Sequence, residues 1–324
     1  MSLTMTRRAF ALGVGALATM PIFGRDRERV PLLRFGVVSD VHITHRGRPT
    51  DRYQYGSAQT FVNALSFFKR RGVEAVVLPG DMADRGLLAN LNVVAAAWEE
   101  VFADDRVERL FIYGNHDADA QWFEKSSGLL TGKSDEERAR LVSSCIASRP
   151  AESWRIAFGE EWMPISLRTI AGFRFVLCNW GYEDQVPAFL EAHREELAGP
   201  RPFFYVQHPH LRGTLYGGRY QGGADQGVVN AALARFPHAI TLTGHSHVSL
   251  TVPGSWSRGN FISIGASSLS YLSKYGRPAG SSREGREGMI ISVYDEELVV
   301  ERREFVDNIL LGEDWHIPLI ASCK

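Results

Sequence analysis

Short apolar runs alternate with segments of helical spacing through the first third of the chain. Leu32-Leu33-Arg34-Phe35-Gly36-Val37-Val38 reads as a buried strand and runs into Ser39-Asp40-Val41-His42. Over residues 57–71, Phe61, Val62, Leu65 and Phe68 recur at helical spacing, and Gly72 suits the helix end. Ala75-Val76-Val77-Leu78 predicts a second buried strand, running into Gly80-Asp81. Residues 87–102 predict a helix with Leu88, Leu91, Val94, Ala95 and Trp98 on one side. Arg109-Leu110-Phe111-Ile112-Tyr113 predicts a third strand, ending in Gly114-Asn115-His116-Asp117.

The rhythm breaks over residues 118–172, which hold Trp122, Trp154, Trp162 and a charged helix-like piece at 134–149. This stretch reads as an insertion, either a partial lid near a site or an excursion packed on the core. Strands are predicted again at 173–178, 203–206 and 239–243, with helices at 187–197 and 228–235 between them. A Gly-rich loop at 213–227 carries Tyr216 and Tyr220. The remainder predicts strands at 249–252, 261–264, 289–294 and 298–305, the last two joined by the turn Asp295-Glu296-Glu297. Continuously apolar strands that alternate with helices argue for an α/β (α+β) core with covered sheet faces. In such sheets, functional residues collect beyond the carboxyl ends of the strands.

Five strand ends here carry metal-type side chains: Asp40 and His42, Asp81, Asn115 and His116, His208, and His245 and His247. In an extended segment, residues two apart point the same way, so Asp40-x-His42 and His245-x-His247 would each aim two ligands at one place. Gly80, Gly114 and Gly244 each precede a candidate ligand and permit a sharp exit from the strand. The donors Asp40, His42, Asp81, Asn115, His208, His245 and His247 outnumber the four of a closed zinc site. They suit two divalent ions about 3.5–4 Å apart, with Asp81 shared between them. His210 lies on the same side of an extended segment as His208 and is the alternative ligand. Mixed oxygen and imidazole donors favour Mn, Fe or Zn.

A water bridging two such ions would supply hydroxide near neutral pH, and the ions would neutralise charge on a phosphoryl group. His116 is the candidate proton donor to the leaving alkoxide. Asp84, or else Asp117, would hold its tautomer. Arg85 would grip a phosphate oxygen bidentately.

Composition constrains the picture without changing it. The 324 residues are 44% hydrophobic and 23% charged, with a net charge of −1, which gives no electrostatic grip on extended nucleic acid or anionic lipid. Three cysteines, Cys145, Cys178 and Cys323, are too few and too dispersed for a disulfide framework. Cys178 reads as a small buried apolar residue. At the N-terminus, Thr6-Arg7-Arg8-Ala9-Phe10 precedes a weakly apolar stretch at 11–20, and Ala16-Leu17-Ala18 offers a cleavage-site pattern. Residues 1–24 therefore read as a twin-arginine export signal, with a first helix of the domain as the alternative. On that reading, residues 25–324 form the working domain, the export machinery is a partner, and the protein is periplasmic or otherwise extracytoplasmic. No segment is long enough for a stable membrane span.

In order, Asp40-x-His42, Gly80-Asp81-x-x-Asp84-Arg85-Gly86, Gly114-Asn115-His116-Asp117, His208 and Gly244-His245-x-His247 resemble the calcineurin-like metallophosphoesterase superfamily. The Asp84-Arg85-Gly86 ending is similar to that of protein Ser/Thr phosphatases, but Asp117 stands where those carry Glu. The rest looks more like bacterial phosphodiesterase-type members. The resemblance implies a four-layer α/β/β/α sandwich, two mixed sheets flanked by helices, with a dinuclear site at the strand ends. It implies that Asp40, His42, Asp81 and His247 hold one metal, and that Asp81, Asn115, His208 and His245 hold the other. His116 would then be proton donor or oxyanion stabiliser. The activity implied is hydrolysis of a small phosphomonoester or phosphodiester. The alternatives are a nuclease or cyclic-nucleotide phosphodiesterase, and a non-catalytic metal-binding scaffold.

Overall fold

In a computed structural model, the described residues are 29–44, 56–84, 86, 88–118, 131–215, 227–274, 276–278 and 283–320. The export-signal reading, Arg85, Trp122, Tyr216 and Tyr220 lie outside them.

The three apolar runs of the first third form β1 (Leu33–Val37), β2 (Ala75–Pro79) and β3 (Glu108–Ile112), joined by α1 (Ser57–Arg70) and α2 (Leu88–Phe102). A short α3 (Asn115–Ala118) and the long α4 (Asp135–Phe158) follow, then the hairpin β4 (Ile165–Ile170) and β5 (Phe173–Cys178). Next come α5 (Val186–Ala192), α6 (Arg194–Leu197), β6 (Phe203–Val206), α7 (Val228–Leu233) and β7 (Ala239–Thr243). The chain then runs through β8 (Trp256–Arg258), β9 (Ile262–Gly265), β10 (Glu287–Val293), β11 (Glu297–Glu304), β12 (Ile309–Leu310) and β13 (Trp315–Pro318).

One sheet has the order β12-β11-β10-β1-β2-β3, with β13 also on β11, and the other β4-β5-β6-β7-β9-β8. Within them β1, β2 and β3 are mutually parallel, as are β5, β6, β7 and β9. Period-two alternation sorts the side chains. Leu33, Phe35, Val37, Ala75 and Val77 face Phe175, Leu177, Phe204, Val206 and Leu242 in the core between the sheets. Val76 and Leu78 point the other way, onto Phe61, Leu65 and Phe68 of α1 and Leu91, Val94 and Trp98 of α2. Val176 and Tyr205 meet α5 and α7 through Leu190, Val229 and Leu233 on the outer face of the second sheet. The result is four layers, helix, sheet, sheet, helix. Phe35 meets Phe175 and Phe204 edge-on, with ring centroids at 5.4 and 4.9 Å. Burying such a side chain contributes about 1.5–3 kcal/mol.

Several boundaries differ from expectation for local reasons. Residues 249–252 are a turn, not a strand, closed by the Val252 N–H donating to the Ser249 carbonyl. The predicted helix at 187–197 breaks at His193 into α5 and α6. The helix predicted at 134–149 starts with a reciprocal Ser134–Glu137 capping box but continues through Pro150 to Phe158. Its far end is held by packing, Trp154 on Tyr113 and Phe158 on Phe111, which outweighs the backbone bond that proline omits. Strand β4 lies inside the stretch read as an insertion. Cys178 is buried, and burial pushes its thiol far above the ordinary value. Among the described residues, no helix is long and apolar enough to cross a membrane.

Candidate metal centre

The parallel strands all end on one side of the two sheets, and the polar clusters meet there. They do so by turning sharply. Asp40, His42, Asp81, His245 and His247 all have left-handed backbones, with φ of 51°, 50°, 53°, 68° and 52°. This conformation is strained for residues with a Cβ, at about 1–3 kcal/mol each, and such strain concentrates at functional sites. The expectation of extended Asp-x-His and His-x-His segments is therefore corrected. Asp40 and His42 still converge on one point, whereas His245 and His247 serve two different ones. Glycines let the turns close on each other. A Cβ on Gly114 would strike the Asp81 carboxylate, and one on Gly244 would strike Asp40 and Ser39.

Two groups of donors result. In the first, His247 Nε2 lies 3.0 Å from Asp40 Oδ1 and 3.1 Å from His42 Nε2. In the second, His208 Nε2 lies 3.1 Å from Asp81 Oδ2 and 3.2 Å from His245 Nδ1, which is 3.0 Å from Asn115 Oδ1. The same Asp81 Oδ2 is 3.8 Å from His42 Nε2, so one oxygen faces both groups. His208, not His210, completes the second group: the two ring nitrogens of His210 meet the hydroxyls of Thr243 and Ser246.

The donor set fits cations. Nδ1–H of His208 donates to the Pro79 carbonyl at 2.6 Å, and that of His247 to the Tyr271 carbonyl at 2.8 Å. With Nδ1 so engaged, each ring turns its Nε2 inward, toward carboxylate oxygens and other nitrogens, an array that a cation satisfies. The protonation pattern of the metal-free chain agrees. Burial would lower the pKa of His208, but the Asp81 carboxylate overrides it and holds the ring at about 9. Burial would raise Asp40, but His247 overrides it and holds the carboxyl at about 2. Burial and cationic His208 push His245 down to about 4, keeping it neutral. A divalent ion would replace the His208 proton.

Next to the first group, Asp84 Oδ1 sits 3.6 Å from both His42 Nδ1 and His116 Nδ1. His42 Nδ1 is buried without a hydrogen bond, and the Asp84 carboxylate is the charged group that faces it. The closest partner of His116 Nδ1 is the Asp84 backbone carbonyl at 3.0 Å. Nδ1–H donates there, which leaves Nε2 for proton exchange. The His116 ring stands perpendicular to His42 with centroids 4.6 Å apart, and its side chain is 32% exposed. Burial lowers its pKa, but Asp81 and Asp84 together hold it above the ordinary value.

Asp117, the second candidate for holding His116, has backbone partners. Its oxygens accept the backbone N–H groups of Ala83, Met82 and Gly114, so it clamps the loop after β2 to the loop after β3. It does not orient the His116 ring. Asp84 is the nearer group in both its carbonyl and its carboxylate.

Sequence reasoning missed two strand ends. Beyond β5, Asn179 Oδ1 accepts the Tyr113 N–H at 2.6 Å, and the Trp180 N–H donates to the Tyr113 carbonyl at 3.1 Å. This sets Trp180 beside His208 and His245. Beyond β9, the Ser268 hydroxyl donates to the Asp40 carbonyl, and Tyr271 supplies the carbonyl for His247. The buried Glu287 carboxylate ties this segment to the turn after His247, accepting from Ser267 Oγ, Ser249 Oγ and the Leu250 N–H. Cys178-Asn179-Trp180 follows an apolar run as the other clusters do, and that signal alone would have found it.

A family model for calcineurin-like phosphoesterases matches residues 33–249. No curated protein matches the sequence. Among solved structures, a dimetal phosphatase from Danio rerio superposes with a TM-score of 0.53 at 14% identity, covering 90% of this chain and 100% of its own. A purple acid phosphatase from yellow lupin (Lupinus luteus) seeds superposes with a TM-score of 0.52 at 15% identity, covering 88% of this chain and 53% of its own. At these identities the likeness is one of fold.

Proposed function

The chain belongs to the calcineurin-like phosphoesterase family, and from that premise we propose that it hydrolyses a small phosphomonoester or phosphodiester. Two divalent ions, Mn, Fe or Zn, would be held by Asp40, His42, Asp81 and His247 on one side, and by Asp81, Asn115, His208 and His245 on the other. The observation that carries this reading is the single Asp81 oxygen facing both donor groups, 3.1 Å from His208 Nε2 and 3.8 Å from His42 Nε2. Bound there, such ions supply Lewis-acid polarisation of phosphoryl oxygens and acidify a water. The chain's own residues do the rest. His116, its Nδ1–H fixed on the Asp84 carbonyl, gives the Nε2 proton to the departing alkoxide. Asp84 orients both rings, His116 through its backbone carbonyl and His42 through its carboxylate. Arg85, next to Asp84 in sequence, grips a phosphate oxygen.

Turnover of 4-nitrophenyl phosphate and bis(4-nitrophenyl) phosphate with Mn added tests the reading. At least one should be hydrolysed, and the ratio of the two rates assigns monoester or diester preference. Failure on both, with two metal ions bound per chain, would overturn it.

We also propose export, on the strength of Arg7-Arg8 and the weakly apolar stretch that follows. Changing Arg7→Lys and Arg8→Lys together should retain the protein in the cytoplasm on fractionation of expressing cells. Unchanged export would refute a twin-arginine route.

A further inference from the structure

The row of histidines is flanked by an aromatic ring at each end, and the two rings differ in what they touch. Tyr271 packs at 4.4 Å from His247 and 5.9 Å from His42, and the Arg283 guanidinium lies 5.1 Å from its ring centre. Its ring is thus engaged by the protein. At the other end the half-buried Trp180 stands 6.1 Å from both His208 and His245, tilted 31° to the His245 ring. Its backbone is fixed on the loop that delivers Asn115 and His116: Trp180 N–H donates to Tyr113 O, and Tyr113 N–H donates to Asn179 Oδ1. Asn179 is anchored in turn by Nδ2 donating to the Met163 carbonyl at 2.7 Å. Trp180 is therefore a large apolar side chain on an anchored backbone beside the second donor group. It carries no ligand atom for the ions.

We propose that Trp180 is a specificity-determining residue, the wall on which a planar organic group of the phosphate ester stacks while the phosphoryl group sits at the donor groups. The substrate class it selects is an ester of an aromatic or heteroaromatic group over one of a small alkyl group. This inference rests on the phosphoesterase reading above. The physical basis is ring stacking on an indole whose backbone is anchored before binding, so only side-chain ordering opposes it.

Calorimetric binding of phenylphosphonate and methylphosphonate to the full chain loaded with two Mn ions tests it without turnover. The wild type should bind phenylphosphonate about five- to tenfold more tightly than methylphosphonate. Trp180→Ala should bring the two affinities within about twofold of each other, with methylphosphonate affinity and Mn content unchanged. Trp180→Phe keeps a flat ring and should restore most of the preference. Equal binding of both phosphonates by the wild type would overturn the proposal, and so would a Trp180→Ala change that weakens both alike. Binding of neither phosphonate by the metal-loaded wild type, with no ester turnover, would overturn the phosphoesterase reading and this inference with it. Ester turnover without a phenyl preference would overturn this inference alone.

Discussion

Asp81→Ala is expected to empty both halves of the metal centre and to remove turnover. Asp81 Oδ2 faces both donor groups, 3.1 Å from His208 Nε2 and 3.8 Å from His42 Nε2. Its other oxygen accepts the His116 N–H at 2.9 Å, so the same carboxylate also seats the loop that carries the proposed proton donor. Residues that merely orient a ligand typically cost 10–100-fold in metal affinity when changed. A shared ligand should exceed that at each position. Metal content should fall from two ions per chain to less than one, with turnover reduced by at least about a thousandfold. The alanine variant also leaves the half-buried His116 N–H without its acceptor, a cost of up to about 1–3 kcal/mol in stability. Asp81→Asn separates the two effects. It keeps an oxygen for the His116 N–H but removes the charge between the histidines, so it should fold like the parent and still lose metal. An Asp81→Asn protein that retains two ions and full turnover would show that the shared oxygen is not a ligand.

The fold was legible where the physics is local. Ala75-Val76-Val77-Leu78 cannot be solvated on either face, so it had to become a strand buried on both sides, and β2 lies between β1 and β3. Phe61, Leu65 and Phe68 form one stripe, and α1 buries that stripe on the first sheet. The two-sheet arrangement came from the resemblance, because periodicity does not say which strands share a sheet. The short strands β8, β12 and β13 were not visible: Ile309 and Leu310 are exposed at a sheet edge and show no alternation.

At the site, residue type announced Asp40, His42, Asp81, Asn115 and the histidines, since such side chains rarely follow apolar strands by chance. Their backbone did not announce itself. Left-handed φ at five of these residues is imposed by the loops that cross between the sheets, and local preference alone does not select it. The backbone clamp made by Asp117 was hidden for the same reason. Its neighbour His116 suggested a catalytic pairing, but the carboxylate turns inward to three backbone N–H groups of loops that meet only in the folded chain.

His116→Ala is expected to lower turnover of an alkyl ester by about 100- to 10,000-fold while leaving two ions bound, and to cost less as the leaving group improves. The side chain is not required by either donor group that shares Asp81. The backbone N–H that anchors Asp81 survives in alanine, so the shared ligand keeps its seat. What is lost is the Nε2 proton, presented because Nδ1–H is fixed on the Asp84 carbonyl at 3.0 Å. An alkoxide leaving group needs that proton, whereas 4-nitrophenolate departs readily without it. The loss should therefore be small for 4-nitrophenyl phosphate, on the order of tenfold, and largest for an alkyl phosphate such as glycerol 3-phosphate. Equal losses on the two would make His116 a stabiliser of phosphoryl charge and not a proton donor. Loss of an ion would point to a third possibility in the same geometry, since His42, Asp84 and His116 also bring three donor atoms within 4.8 Å of one another. Metal analysis and the leaving-group dependence together distinguish the three roles, because only the proton donor leaves both ions in place and spares the activated aryl ester.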